Sequence, residues 1–171
     1  ARAWRVRAQG AVAFVDRVQG PQADDLEAAF GDFVVLRADG QFAYQLAVVI
    51  DDADAGVTHV VRGADLLDST GRQIHLQRRL GLATPRYLHV PVVVNAAGEK
   101  LSKQTLASAI DAYPPAQMLL AALRFLGQNP PDMPTDAPPA AILDWAVAHW
   151  SVSSIPPVRQ VVGHHDLVPA C

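Results

Sequence analysis

Residues 87–94 read Tyr-Leu-His-Val-Pro-Val-Val-Val, and this nearly unbroken apolar run narrows the fold more than any other stretch. A strand with one wet face alternates apolar and polar residues, whereas an apolar run of this kind belongs to a strand covered on both faces. Upstream, Thr-His-Val-Val-Arg-Gly (58–63) reads as a second short buried strand, ending at Arg62. Between them, Asp65 or the run Asp68-Ser69-Thr70 can cap a helix that continues to about Leu80 and stops at Gly81. Strand, helix and strand in succession over 58–94 imply a parallel pair joined by a right-handed crossover. The chain is therefore expected to be an α/β protein.

The run 87–94 leads into Asn-Ala-Ala-Gly and then Glu99-Lys100-Leu101-Ser102-Lys103-Gln104. Of the 14 basic residues, 12 are arginine; the two lysines are Lys100 and Lys103, three positions apart. Lysine is a compact, rotatable ammonium on a flexible stem, while arginine is a planar fork. A mobile point charge suits a phosphate whose charge shifts during a reaction. The loop just beyond a buried strand is also where open α/β sheets bind ligands. The plain alternative is a solvated turn between a strand and a helix.

Composition sets the remaining bounds. A chain of 171 residues, half hydrophobic and 18% charged, is globular and forms one domain or slightly more. Its net charge of −3 gives no global basic field for nucleic acid. Cys171, the only cysteine, cannot build a disulfide or a Cys-based metal site, and suits a reducing, cytoplasmic setting. No stretch approaches the ~20 apolar residues of a membrane span. The chain opens Ala-Arg-Ala-Trp, without Met and directly in strand-like sequence, as a non-natural N-terminus would.

Residues 3–8 and 11–18 alternate around Gly10 as a hairpin would, and 21–30 read as a short helix or loop. Phe-Val-Val-Leu-Arg (33–37) is a strand running into the turn Ala38-Asp39-Gly40. Residues 41–52 fit strand alternation (Phe42, Tyr44, Leu46, Val48, Ile50) and a helical face (Tyr44, Ala47, Val48, Asp51) equally. Beyond Lys103, helices are expected over 104–112, over 116–126 with a stop at Gly127, and over 140–150. The last presents Ile142, Trp145, Ala146 and His149 or Trp150 on its apolar side. A Pro-rich linker fills 128–139, and the tail after Ser151 is expected to hold little structure. His164-His165-Asp166 looks like a metal-binding or nucleotide motif, but stands in that tail outside any such context.

Arg62, at the carboxyl end of a strand, is a candidate clamp for an anion such as a carboxylate. Tyr44 could offer its hydroxyl to the same ligand. Each has a structural rival: an ion pair of Arg62 with Asp51, Asp52 or Asp65, and a half-buried core role for Tyr44.

The run YQLAVVIDDADAGVTHVVRGADLLDSTGRQIHLQRRLG, followed by PRYLHVPVVVNAAGEKLSK, resembles class I aminoacyl-tRNA synthetases of the glutamyl/glutaminyl group over about residues 33–126. Leu101-Ser102-Lys103 matches the KMSKS-type loop that grips ATP. KLSKQ, RFLGQNPP and WAVAHW look most like the family's shortened paralogue, which attaches glutamate to queuosine in the anticodon of tRNA(Asp). The resemblance implies that Tyr44–Asp52 is a helix and that Tyr44 and Arg62 bind glutamate. It places Lys103 on ATP, with Lys100, Leu101 and Ser102 beside it on the loop. Glutamate, ATP with Mg2+ and queuosine-bearing tRNA(Asp) would be the partners of a monomer that forms glutamyl-adenylate and passes the glutamyl group on.

Two departures stand out. The family's HIGH-type motif would fall before Ala1, and its zinc ligands, three Cys and a Tyr, have no counterparts. The expectation is thus the second half of a Rossmann-type synthetase domain (33–113). A β-rich remnant of the inserted acceptor-binding subdomain precedes it (1–32), and a helical region (114–150) and tail (151–171) follow. An exposed sheet edge would limit solubility. The alternatives are a tRNA-charging glutamyl-tRNA synthetase truncated at both ends and a non-catalytic remnant that binds RNA or a partner.

Overall fold

The computed structural model describes residues 2–101 and 113–163. The chain divides into two compact units, Ala1–His89 and Val90–Cys171.

In the first unit, β1 (Trp4–Val6) pairs antiparallel with β4 (Phe33–Leu36), so that Trp4 meets Leu36 and Val6 meets Phe33. The hairpin is formed instead by β2 (Ala11–Asp16) and β3 (Gly20–Asp25), in register from Ala11 with Asp25 to Asp16 with Gly20. The alternation in 3–8 and 11–18 correctly marks strands, but their partners are set by the sheet and not by the turn at Gly10. Half of the segment 21–30 is accordingly strand. Its remainder is a single helical turn, α1 (Leu26–Ala29), capped by Asp25, whose carboxylate accepts from Glu27 N and Ala28 N at 3.0 Å.

The central sheet has the order β3-β2-β6-β5, where β5 is His59–Gly63 and β6 is Arg86–Val90. The Arg86 N–H meets Thr58 O at 2.9 Å at the starts of β6 and β5, and Arg62 meets His89 toward their far ends. These two strands therefore run the same way, and β2 lies parallel to β6 on the other side. The expected parallel pair is present, with α3 (Leu67–Leu80) as its crossover.

Helix α2 (Tyr44–Asp54) resolves the ambiguous stretch in favour of helix. Burial explains the outcome: Val49 is buried and Leu46 and Val48 pack on the core formed by Val12, Leu26, Phe33, Ile74 and Tyr87. Neither Asp65 nor Asp68 caps α3. A 3-10 turn, Ala64–Leu66, leads straight into it, and no side chain caps its first residues. The far end stops as expected at Gly81, in the left-handed region at φ 68°.

The expected single strand over 87–94 is two strands. Pro91 has no N–H to give to a ladder, and β6 ends before it. In the second unit, β7 (Val92–Val94) pairs in parallel with β8 (Gln160–Val162), Val92 with Gln160 and Val94 with Val162. The segment after Ser151 thus carries structure, including the 3-10 turn Val152–Ser154, contrary to the tail reading.

Helices α4 (Pro115–Phe125) and α5 (Pro139–His149) each begin on a proline, which needs no N–H partner there. They pack Ala116, Leu120 and Leu123 against Ile142 and Ala146, and Trp145 stacks on His149 at 4.8 Å. After α4, the buried Gln128 side chain pairs with the Ser151 backbone: its amide donates to Ser151 O and its oxygen accepts from Ser151 N, both at 2.9 Å. The helix expected over 104–112 lies outside the described residues, as does His164-His165-Asp166. Among the described residues, no helix is long and apolar enough to cross a membrane.

Candidate functional site

Arg62 emerges near the end of β5, and its guanidinium is held on two sides. Nε donates to Nε2 of His89 at 2.9 Å. Nη2 donates to Thr70 Oγ1 at 2.9 Å, to Gln73 Oε1 at 2.8 Å and, more weakly, to Leu66 O at 3.3 Å. Thr70 and Gln73 stand three apart on α3, so one helix face supplies both acceptors. The Tyr87 ring lies 5.7 Å from the guanidinium carbon, within cation–π range.

Every one of these partners is neutral. Among the described residues no carboxylate pairs with Arg62, so the rival ion pair with Asp51, Asp52 or Asp65 is not formed. Nη1 has no hydrogen-bond partner among the described residues. A guanidinium has five N–H donors in a fixed fork. Here three are directed inward by neutral acceptors, and the positive charge and the Nη1 pair remain for an external anion.

Behind this fork, His89 is wholly buried, with Nδ1 2.7 Å from Oδ2 of the equally buried Asp16. Oδ1 of Asp16 accepts from the amides of Val18 (3.0 Å), Gln19 (2.9 Å) and His89 (3.2 Å). Burial by itself would raise the Asp16 pKa. The bonds from the His89 ring and from these amides outweigh it and lower the carboxyl from 3.8 to about 2. Tyr87 stacks on His89 at 6.0 Å, and burial pushes its hydroxyl up against the opposing effects of Gln77 and Arg62.

Tyr44, the first residue of α2, is half exposed, with 51% of its surface open. Its neighbour Gln45 ties that helix start to α3: Gln45 Nε2 donates to Ser69 Oγ at 3.0 Å and Gln45 Oε1 accepts from Gln73 Nε2 at 2.9 Å. Gln73 thereby links the Tyr44 end of α2 to Arg62. The sequence reasoning singled out Tyr44 and Arg62 but missed Asp16, Gln45, Thr70, Gln73 and His89. Two signals were available: His89 is the one basic side chain in the run 87–94, and Thr70 and Gln73 share a helix face inside Ser-Thr-Gly-Arg-Gln.

In the second unit, Asn95 organises the turn before the lysines. Its Oδ1 accepts from the amides of Ala97 (3.0 Å) and Glu99 (2.9 Å), and its Nδ2 donates to Glu99 Oε2. The chain then doubles back on β7: Lys100 bridges Val94, and Leu101 N donates to Val93 O at 3.0 Å. Lys100 and Leu101 line a cavity of about 320 Å³ with Val92, Val93, Met118 and Phe125. Ser102 and Lys103 lie outside the described residues.

The family's zinc would need a cluster of ligands. No three His, Cys, Asp or Glu side chains come together among the described residues, and no step is assigned to such a metal.

The fold is shared with a glutamate-tRNA synthetase from Elizabethkingia anophelis, at a TM-score of 0.71 and 18% identity, over 95% of this chain and 37% of that one. Residues 2–133 match the family tRNA synthetases class I (E and Q), catalytic domain. The chain belongs to that family. It is 66% identical to the glutamyl-Q tRNA(Asp) synthetase of Aromatoleum aromaticum, over 91% of this chain and 50% of that protein. It is 57% identical to the enzyme of the same name from Burkholderia mallei, over 93% of this chain and 54% of that protein. The chain thus spans about half the length of the curated relatives it matches.

Proposed function

We propose that this chain is part of a ligase that activates glutamate with ATP and transfers it to queuosine in the anticodon of tRNA(Asp). In the first step the glutamate carboxylate attacks the α-phosphate of ATP, forming glutamyl-adenylate and releasing pyrophosphate. In the second, a queuosine hydroxyl takes the glutamyl group and AMP leaves. Arg62 forks onto a glutamate carboxylate through its Nη1 side, and Tyr44 bonds the same ligand. Lys103, with Lys100, Leu101 and Ser102, grips the phosphates of ATP, which arrives with Mg2+. Catalysis of the first step is positioning plus charge stabilisation.

The observation that carries this reading is the 66% identity to a glutamyl-Q tRNA(Asp) synthetase across nine-tenths of the chain. The neutral partners of Arg62 support its amino-acid half, because a cation left uncompensated in a half-buried site is available to a carboxylate.

The test is glutamate-dependent ATP–pyrophosphate exchange by the full reading frame containing this chain, followed by transfer of labelled glutamate to tRNA. Exchange with glutamate, and labelling of tRNA(Asp) only when it carries queuosine, is expected. Labelling of tRNA(Glu) instead would make it a tRNA-charging enzyme. No exchange would leave a non-catalytic remnant.

A further inference from the structure

We propose that Asp16 and His89 are positioning residues for the glutamate clamp: Asp16 fixes His89 as its Nδ1–H tautomer, and the free Nε2 of that ring holds Arg62 so that Nη1 faces the substrate carboxylate. The proposal rests on the assignment of Arg62 to glutamate and adds the two residues behind it.

The geometry leaves little freedom. Arginine is a donor only, so the 2.9 Å contact from its Nε–H requires a lone pair on Nε2 of His89. A neutral imidazole then carries its proton on Nδ1, and Nδ1 faces Asp16 Oδ2 at 2.7 Å. The groups facing the ring are Asp16 from β2, Arg62 from β5, Tyr87 from β6 and Thr70 from α3, the last with Oγ1 3.3 Å from Nε2. The only anion among them is Asp16, and it lies on the Nδ1 side. An imidazole of the other tautomer, or a doubly protonated one, would set a donor against the Arg62 donor and push the fork away.

Asp16→Asn is a clean perturbation because the carboxamide has one way to sit. Three backbone N–H groups point at Oδ1, so the amide oxygen takes that place and the NH2 takes the place of Oδ2. That NH2 donates to Nδ1 and drives the His89 proton onto Nε2, opposite Arg62. His89→Gln in the same background restores an acceptor, since a glutamine amide can turn its oxygen to Arg62 while its length suits the gap.

Nitrogen-15 spectra of the imidazoles, recorded on the full reading frame, are expected to show His89 with its proton on Nδ1, and on Nε2 in D16N. Glutamate affinity, read by calorimetry, should fall roughly tenfold or more in D16N, as for loss of a well-placed bond to a charged group. ATP affinity should stay within about threefold, and the double variant D16N/H89Q should recover most of the loss. A wild-type His89 protonated on Nε2 overturns the proposal without any ligand present. So does equal loss of glutamate and ATP affinity in D16N with no recovery in the double variant, since that marks a general structural role. A wild-type protein with the expected tautomer but no glutamate binding would refute the glutamate reading itself.

Discussion

Asp16 and Arg62 never touch, yet each contacts one nitrogen of the same imidazole, Asp16 at 2.7 Å and Arg62 at 2.9 Å. Opposite charges are thus held one ring apart, which orients the guanidinium without the short ion pair that would neutralise it. Arg62→Lys is expected to raise the KM for glutamate by roughly tenfold to a hundredfold, because one ammonium cannot satisfy His89, Thr70 and Gln73 and also fork onto a carboxylate. The KM for ATP should move less than about threefold in the same exchange assay. An unchanged glutamate dependence would remove Arg62 from the clamp.

The acid limb of stability should carry the signature of Asp16. Its pKa is lowered from 3.8 to about 2 in the folded chain. A depressed folded pKa contributes stability that is present above 3.8 and is lost as pH falls through 2. Between about pH 5 and pH 2, wild type should lose on the order of 2 kcal/mol more than D16N. Urea unfolding across that range reads the difference, and parallel curves would mean that Asp16 titrates normally.

Two glycines separate backbone strain from steric contact. Gly81 and Gly127 both end helices in the left-handed region, at φ 68° and 70°. A Cβ at Gly81 would meet nothing within 4 Å, while one at Gly127 would run into the carbonyl oxygen of Ser154. Gly81→Ala should cost roughly 1–2 kcal/mol, the strain term alone, and Gly127→Ala clearly more. Equal losses in urea unfolding would show that the segment clamped by Gln128 gives way freely.

Lys103→Ala should lower the rate of adenylate formation and leave glutamate binding nearly unchanged, because the loop is proposed to grip ATP. Lys103→Arg should recover only part of the rate, since a planar fork cannot follow a phosphate as a point charge does. Single-turnover measurement with saturating glutamate decides it. A wild-type rate in Lys103→Ala would take the loop out of the first step.

Local signals in the chain were legible where they were also the deciding ones. The parallel pair around α3 follows from two apolar runs flanking a helix, and the stops at Gly81 and Gly127 follow from glycine being at ease where other residues are strained. Residues 41–52 were not legible by themselves, since their spacing serves strand and helix alike. Burial of Val49 against the first core settles it, and the resemblance had already pointed to helix. The hairpin at Gly10 failed for a related reason: alternation identifies a strand but not its partner, and β1 pairs with the distant β4, beside a bond from Arg5 to Asp32 O that spans 27 positions of sequence.

The sequence by itself determined the family, the α/β class, the order of most elements, and Tyr44, Arg62, Lys100 and Lys103 as residues to examine, because motifs and periodicities are local properties of the chain. Only the tertiary structure decided which neutral groups surround Arg62. Asp16, His89, Thr70 and Gln73 come from three separate elements, and what joins them is hydrogen-bond geometry across as many as 73 positions of sequence. A hydrogen bond depends on distances of a few tenths of an ångström between atoms, and those are fixed by packing of the whole unit, which no spacing along the chain records.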